Sequence, residues 1–414
     1  MIRLGTVFSG IGAIEQALIR LGLDHIIVFG CDNGDVALKL LPKSIQKRYE
    51  DLKRANKKNP LIGSEKEELE TYVNQEAQII DDIKAKVTSL QSKDEKREYI
   101  ESIYKKHSSQ QNYVKKSYFA NYEINPMDFH LDIRFLDGTD YKGMVDLLVG
   151  GSPCQSFSTV GKQLGFEDTR GTLFYEFARI IKEVQPKVFI YENVNGLTKN
   201  DDGRTLAIIK HVFRDELDYK VVGEQVLNAS DYGIPQTRRR MFIVGIRKDI
   251  TCADFTYPEP VERKYTMQDF LEENCAYGHF TYNKETGELI VGKVKGTPNP
   301  KFNLTPGVQK YVLASGTKTF KTSTETDLPI ARTLLKTMTQ HHRAGVDNYI
   351  TISKEPKLLR ALTDREALRL MGYPDSFNIV VSSAQIYRQA GNSIVVDVMM
   401  AIVKKILETG VYNQ

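Results

Sequence analysis

Cys154 stands in the run Gly150-Gly151-Ser152-Pro153-Cys154-Gln155-Ser156-Phe157-Ser158, directly after the apolar stretch Val145-Asp146-Leu147-Leu148-Val149. That stretch is short enough for a buried strand, and Gly-Gly-Ser-Pro ends it in a turn. A cysteine there lies past the carboxyl end of a strand, where open α/β sheets carry their chemistry. Pro153 fixes its own φ and limits the wandering of the thiol. A lone cysteine is most often a small buried hydrophobe. Two further strand ends change that reading. Val188-Phe189-Ile190-Tyr191 runs into Glu192-Asn193-Val194, and a strand over 241–246 follows Gln236-Thr237-Arg238-Arg239-Arg240. An adjacent cation lowers a thiol pKa and so activates a sulfur nucleophile. A carboxylic acid held protonated near neutral pH serves as a proton donor. The chemistry expected is covalent attack by sulfur with proton donation by an acid.

These groups need a sheet to bring them together. Ile2 to Phe8 reads as a buried strand, Ser9-Gly10-Ile11-Gly12 as a tight turn, and Ala13 to Leu21 as a short helix ended by Gly22. Strand, glycine turn and helix aim backbone amides at a polar ligand. With only G-x-G the pattern is no more specific than an ordinary βα turn. A strand over 26–30 ends at Cys31-Asp32, and an acid roughly 20 residues past such glycines takes ribose hydroxyls. Phe129-His130-Leu131-Asp132-Ile133 is a third strand end. Thr205 to Leu217 reads as a helix and Tyr219 to Asn228 as a strand.

Residues 43–118 differ in kind, rich in Lys, Glu and Gln. Leu69, Val73, Ile80, Ile83, Val87 and Leu90 alternate in four- and three-residue steps, a heptad seam broken by Glu76. Ser64-x-x-Glu67 and Ser92-x-x-Glu95 fit capping boxes, which predicts two consecutive helices. The first, over 65–91, would be roughly 40 Å long at about 1.5 Å per residue. A partner-binding arm or an added DNA clamp are its functional readings. A helical hairpin packed on itself is the expected one.

Ser-Pro-Cys-Gln-Ser-Phe-Ser, Glu192-Asn193-Val194 and Gln-x-Arg-x-Arg (Gln236, Arg238, Arg240) occur in an order and at spacings that resemble the DNA cytosine-5 methyltransferases, of the bacterial type II restriction-modification kind. The resemblance covers nearly the whole chain apart from 43–118. It implies an α/β fold: a Rossmann-like S-adenosylmethionine-dependent methyltransferase sheet, a smaller irregular target-recognition domain and a helical insertion. Residues 1–250 plus 386–414 would form a discontinuous catalytic and cofactor-binding domain, with 43–118 inserted in it. Residues 251–385 would form the target-recognition domain and hinge.

The same resemblance assigns roles. Cys154 is the nucleophile that adds to carbon 6 of a flipped cytosine, and Glu192 donates to ring nitrogen 3. Arg238 and Arg240 hold the base oxygen and nearby charge. Phe8, Gly10 and Gly12 match the opening of the S-adenosylmethionine site, Asp32 its ribose-binding acid, and Asp132 with Ile133 its adenine contact. Asn392 and Ser393 belong to the last motif, beside the cofactor. Asn33 stands where the family often has a bulky side chain over the adenine. The glycine-studded run 159–172 matches the family's closing loop, with Lys162 and Arg170 as phosphate contacts and Gln155 as a further DNA contact.

Pro258, Pro260, Pro298, Pro300 and Pro306 mark an irregular, strand-poor stretch to about residue 355. In it Pro329-Ile330-Ala331-Arg332-Thr333-Leu334 resembles the short Thr-Leu element that anchors recognition loops. Lys318, Lys321, Lys336, Gln340 and Arg343 flank it as candidate donors to bases and phosphates. The adjacent His341 and His342 point different ways and lack further ligands, so no metal is expected.

A formal net charge of only +4 over 414 residues suits nucleic acid but decides nothing. Four scattered cysteines, with no CxxC and no zinc-ligand spacing, argue against a disulfide framework or metal site and for a reducing compartment. No apolar run reaches membrane-spanning length. The expectation is a cytoplasmic, monomeric enzyme, bacterial or phage-encoded, with S-adenosylmethionine as cofactor (leaving as S-adenosylhomocysteine) and double-stranded DNA as partner. One alternative is a transfer-RNA cytosine-5 methyltransferase of the same motif family, whose Cys-Phe-Thr element is absent: Cys275 is followed by Ala276-Tyr277. Another is a catalytically silent DNA-binding module of the same fold. A Rossmann oxidoreductase would leave the cysteine motif unexplained.

Overall fold

The computed structural model describes residues 1–153, 173–316 and 321–413. Its centre is a seven-stranded sheet in the order β3-β2-β1-β4-β5-β7-β6. The strands are β1 (Ile2–Val7), β2 (His25–Cys31), β3 (Phe129–His130), β4 (Leu147–Gly150), β5 (Val188–Val194), β6 (Tyr219–Asn228) and β7 (Arg239–Arg247). The first five run parallel, and β7 enters antiparallel between β5 and β6. Parallel strands buried on both faces need near-continuous apolar runs, and Val188, Phe189, Ile190 and Tyr191 are all fully buried. Helices α1 (Ala13–Arg20), α6 (Leu173–Val184) and α7 (Arg204–His211) follow β1, the 154–172 segment and β5. The helix expected over 205–217 is α7 plus a wider π-type turn over Val212–Glu216.

The stretch expected to be an insertion holds four helices rather than two: α2 (Lys43–Lys58), α3 (Gly63–Ser89), α4 (Lys93–His107) and α5 (Tyr113–Phe119). Helix α2 escapes a periodicity reading because it buries only Tyr49 and Leu52. The Ser92–Glu95 capping box forms at α4. The Ser64–Glu67 box does not: α3 begins two residues earlier than expected, with Ile62 at its cap and no side-chain bond there. Nor is there a continuous seam. Leu69 joins Leu41, Tyr49 and Leu52, whereas Ile83 and Val87 join Val36, Leu38, Ile100, Tyr104 and Phe135, and Val73 is exposed. Glu76, the polar break, accepts the Tyr49 hydroxyl at 2.7 Å. The hairpin therefore packs on the β3 edge of the sheet as well as on itself.

Beyond β7 come two small hairpins, β8 (Phe280–Tyr282) with β9 (Leu289–Val291) and β10 (Tyr349–Lys354) with β11 (Lys357–Ala361). The short α8 (Pro306–Val312) precedes β10, and α9 (Asp364–Arg369), α10 (Ser383–Asn392) and α11 (Val396–Glu408) end the chain. Helix α11 returns against α1. Arg20, fully buried, ties the two together through Asp397 at 2.8 Å and the carbonyls of Gly287 and Gly372. Among the described residues no helix is long and apolar enough to cross a membrane.

Candidate active site and cofactor cleft

Parallel register brings the chemistry to one edge. Gly150 pairs with Val7 on one side and Tyr191 on the other, so β1, β4 and β5 end together. The next residues on these strands are Phe8, Gly151 and Glu192. A Cβ on Gly151 would stand 2.6 Å from Glu192 Oε2 and 2.9 Å from its carbonyl oxygen, so only glycine fits. Asn193 donates to the Ser152 carbonyl at 3.0 Å and the Tyr191 hydroxyl at 2.8 Å, pinning the turn to β5. The chain thus leaves β4 against the Glu192 carboxylate, three residues before Cys154. Cys154, Gln155, Lys162 and Arg170 lie outside the described residues, as does Lys318.

Glu192 pairs with Arg240 of β7, Nε to Oε1 at 3.1 Å, with little of either side chain exposed. Burial pushes the Glu192 carboxyl up from its usual range, while Arg240 and then Arg238 pull it back. Arg238 is placed differently. It is 2% exposed, and its guanidinium donates to the carbonyls of Leu334 at 3.2 Å, Gly391 at 2.8 Å and Ser393 at 2.7 Å. Burial, aided by Arg240, brings it down to about 9. Its partners are backbone from the Thr-Leu element and the last motif, so in this structure it clamps those segments together. Gln236 does the same work, donating to the Leu370 carbonyl at 2.7 Å and accepting the Leu334 amide at 3.0 Å.

The residues expected on the cofactor side take up distinct positions. Phe8 has φ +54°, in the left-handed region that a bulky side chain rarely occupies, and Gly10 and Gly12 follow at +55° and +79°. Strain of this kind collects where backbone shape serves a site. Asp32 accepts the Gly10 amide at 2.8 Å and the Gly34 amide at 2.7 Å, which leaves each oxygen a further acceptor position. Burial raises its carboxyl and those amides lower it. Asp132 is 4% exposed and caps the turn holding the buried Ile133. Asn392 ends α10, exposed, and Ser393 is buried with its hydroxyl 3.0 Å from that of Tyr373. A Cβ on Gly391 would meet the Lys336 amide at 2.2 Å, so this turn lies directly on the Thr-Leu element.

The recognition candidates spread outward. Lys336 and Gln340 are exposed, Lys321 bridges to Gly316, and Arg343 stacks over Tyr311 at 5.5 Å. Cys275 is fully buried, its carbonyl bonded by Arg369 at 2.8 Å, a structural position.

One group escaped the reading of motifs. Glu15, in the first turn of α1, is fully buried, takes the Tyr118 hydroxyl and the Thr6 hydroxyl, and leaves Oε2 without a partner. Burial carries it up to about 7. An acid on the otherwise apolar face formed by Ala13, Ile14, Ala17 and Leu18 was its only signal.

A family model described as C-5 cytosine-specific DNA methylase matches residues 95–408. The type II methyltransferase M.HpaII of Haemophilus parainfluenzae is 38% identical over 271 residues, covering 64% of this chain and 72% of that protein. M.HhaI of Haemophilus parahaemolyticus is 35% identical over 257 residues, 62% of this chain and 74% of its own. The crystal structure of S. pombe Dnmt2 methyltransferase shares the fold, with a TM-score of 0.60 at 16% identity over 99% of both chains. With three quarters of its length matched, the chain belongs to the C-5 cytosine-specific DNA methylase family and is a methyltransferase for carbon 5 of cytosine in DNA.

Proposed function

We propose that this protein methylates cytosine within a specific double-stranded DNA sequence, taking the methyl group from S-adenosylmethionine, with Cys154 as covalent nucleophile and Glu192 as proton donor. The observation that carries this reading is the Glu192 carboxylate lodged against Gly151, paired to Arg240 and raised by burial, at the turn that leads to Cys154. Carbon 5 of cytosine is a poor nucleophile. Addition of the Cys154 thiolate to carbon 6, with Glu192 giving its proton to ring nitrogen 3, converts the ring to an enamine whose carbon 5 is electron-rich. Arg240 steadies the charge that Glu192 then carries. When carbon 5 has been methylated, a general base takes its proton, the carbon 5–carbon 6 double bond re-forms as the thiolate leaves, and ring nitrogen 3 returns its proton to Glu192. A base stacked in duplex cannot reach this edge, so the target is flipped out of the helix.

The residues present suit the cofactor. Asp32 has acceptor positions left for two ribose hydroxyls and holds the Gly10 amide of the left-handed turn at Phe8, Gly10 and Gly12, and Asp132, Ile133, Asn392 and Ser393 would complete the site. When bound, S-adenosylmethionine supplies an electrophilic methyl group on a sulfonium. Lys321, Lys336, Gln340 and Arg343 would meet DNA, with Gln155, Lys162, Arg170 and Lys318 from the segments outside the described residues. Arg238 would also fix the last motif and the recognition element to the start of β7, beside the base-oxygen role expected for it. The chain would work as a cytoplasmic monomer. Bisulfite sequencing of plasmid DNA from cells expressing the protein tests both activity and target: one fully protected cytosine context is expected, and uniformly converted DNA contradicts the reading.

A further inference from the structure

The 43–118 insertion enters the chain between the two candidate cofactor acids, Asp32 and Asp132, and it touches both. Asn112 donates from Nδ2 to the Asp32 carbonyl at 2.7 Å, and Gln110 accepts the Ala37 amide at 2.9 Å. From α4, the Tyr104 hydroxyl donates to Asp132 Oδ2 at 2.9 Å and lies 3.3 Å from the Leu131 carbonyl. The same helix is fastened to the sheet edge by Lys96, which reaches Asp137 at 2.7 Å and Asp140 at 2.8 Å, and by Lys93 on Asp128 at 3.0 Å.

We infer that Tyr104 of the insertion is a positioning residue for Asp132, so that cofactor affinity in this enzyme depends on a helix outside the methyltransferase sheet. The inference rests on the proposed cofactor role of Asp132. Count the donors on that carboxylate. Arg134 supplies its amide at 3.0 Å, Nε at 3.0 and 3.1 Å and Nη2 at 2.6 Å, and Tyr104 supplies its hydroxyl. A carboxylate has about four lone-pair positions, so these donors occupy it fully. An incoming amino group must displace one of them. The Arg134 side chain is partly open to solvent, at 25% exposure. Tyr104 is not: its ring is buried among Val36, Leu38, Ile83, Val87, Ile100 and Phe135. Arg134 is thus the exchangeable donor, and Tyr104 the one that keeps the carboxylate aimed while the exchange occurs.

The test uses the full-length enzyme with saturating DNA and varied S-adenosylmethionine. Tyr104→Phe removes one oxygen and should raise KM for S-adenosylmethionine about five- to tenfold with kcat within about twofold, the pattern of lost binding rather than lost chemistry. Tyr99→Phe, on the same helix and against the same apolar cluster, should change neither. Asp132→Ala should raise KM at least as far as Tyr104→Phe. If Asp132→Ala raises KM and Tyr104→Phe does not, the inference is overturned and the cofactor role of Asp132 stands. If Asp132→Ala leaves KM unchanged, that role falls and the inference with it. A measurement on the unaltered enzyme guards against a variant that fails to fold. Because coupling is reciprocal, S-adenosylhomocysteine should slow amide hydrogen exchange across residues 93–107, and unchanged exchange there would overturn the inference.

Discussion

Two buried carboxylates stand at opposite ends of one sheet edge, and their surroundings differ in a way that separates their tasks. Glu192, on β5, has a single ion-pair partner among the described residues, and burial outweighs that partner in setting its proton affinity. Asp132, beyond β3, is held by two donors of Arg134, that residue's amide and the Tyr104 hydroxyl. One group is left under-compensated and so can hold a proton. The other is saturated and so keeps its orientation. The contrast between Arg240 and Arg238 repeats the lesson, since one faces a carboxylate and the other faces three backbone carbonyls.

The strongest way to break this comparison is at the sulfur. Cys154→Ala should lower kcat by at least about a thousandfold, because the covalent route is removed entirely, while DNA affinity in a gel-shift titration stays measurable. Turnover near the parent level would refute the nucleophile. Glu192→Gln keeps the shape and removes the proton; a loss of about 10²–10⁴ in kcat is expected from single-turnover rates, and a loss under about threefold would place the donor elsewhere. The arginines should part company. Arg238→Ala strands three carbonyls, two of them buried, and should cost about 3–5 kcal/mol in urea unfolding, whereas Arg240→Ala should lower kcat with the unfolding midpoint almost unmoved. Equal effects of both changes on stability would erase the distinction.

The smallest effect sharpens the picture of buried acids. Glu15 has its folded pKa raised from 4.5 to about 7, so its contribution to stability is fully present below pH 4.5 and is lost as pH rises through 7. At about 1.4 kcal/mol per unit the change is at most about 3.5 kcal/mol. His130 acts oppositely: burial lowers it to about 4, so its contribution falls away as pH drops below its usual 6.5. The difference between parent and Glu15→Gln cancels the histidine. Thermal unfolding should show the variant losing less stability than the parent between pH 5 and pH 7.5, and parallel curves would contradict the assignment.

Much of the sheet was legible because its strands are short apolar runs closed by Gly, Asp or Glu, as at Gly150, Asp32 and Glu192. The clustering of β1, β4 and β5 ends follows from parallel register, which a motif order anticipates without showing. Residue pairs across the fold were not legible. The apolar stripe on α3 announced burial but not its two separate partners, so Leu69 and Val87 read as one seam. Ser64 had the right spacing for a cap, yet Gly63 with φ +59° starts the helix two residues early. Tyr104 carries no local signal at all, since its meaning depends on a carboxylate 28 residues away. Arg238 and Arg240 share a motif and a charge, and only the third dimension shows that they face different partners.

The most direct measurement is a trapping experiment. A duplex carrying 5-fluorocytosine at the methylated position cannot lose a proton from carbon 5, so the sulfur adduct should persist after one methyl transfer. With S-adenosylmethionine present, a covalent protein–DNA complex should form, and mass spectrometry should place the link on the peptide containing Cys154. A methylating enzyme that yields no such complex, or one joined through Cys31, Cys252 or Cys275, would contradict the account.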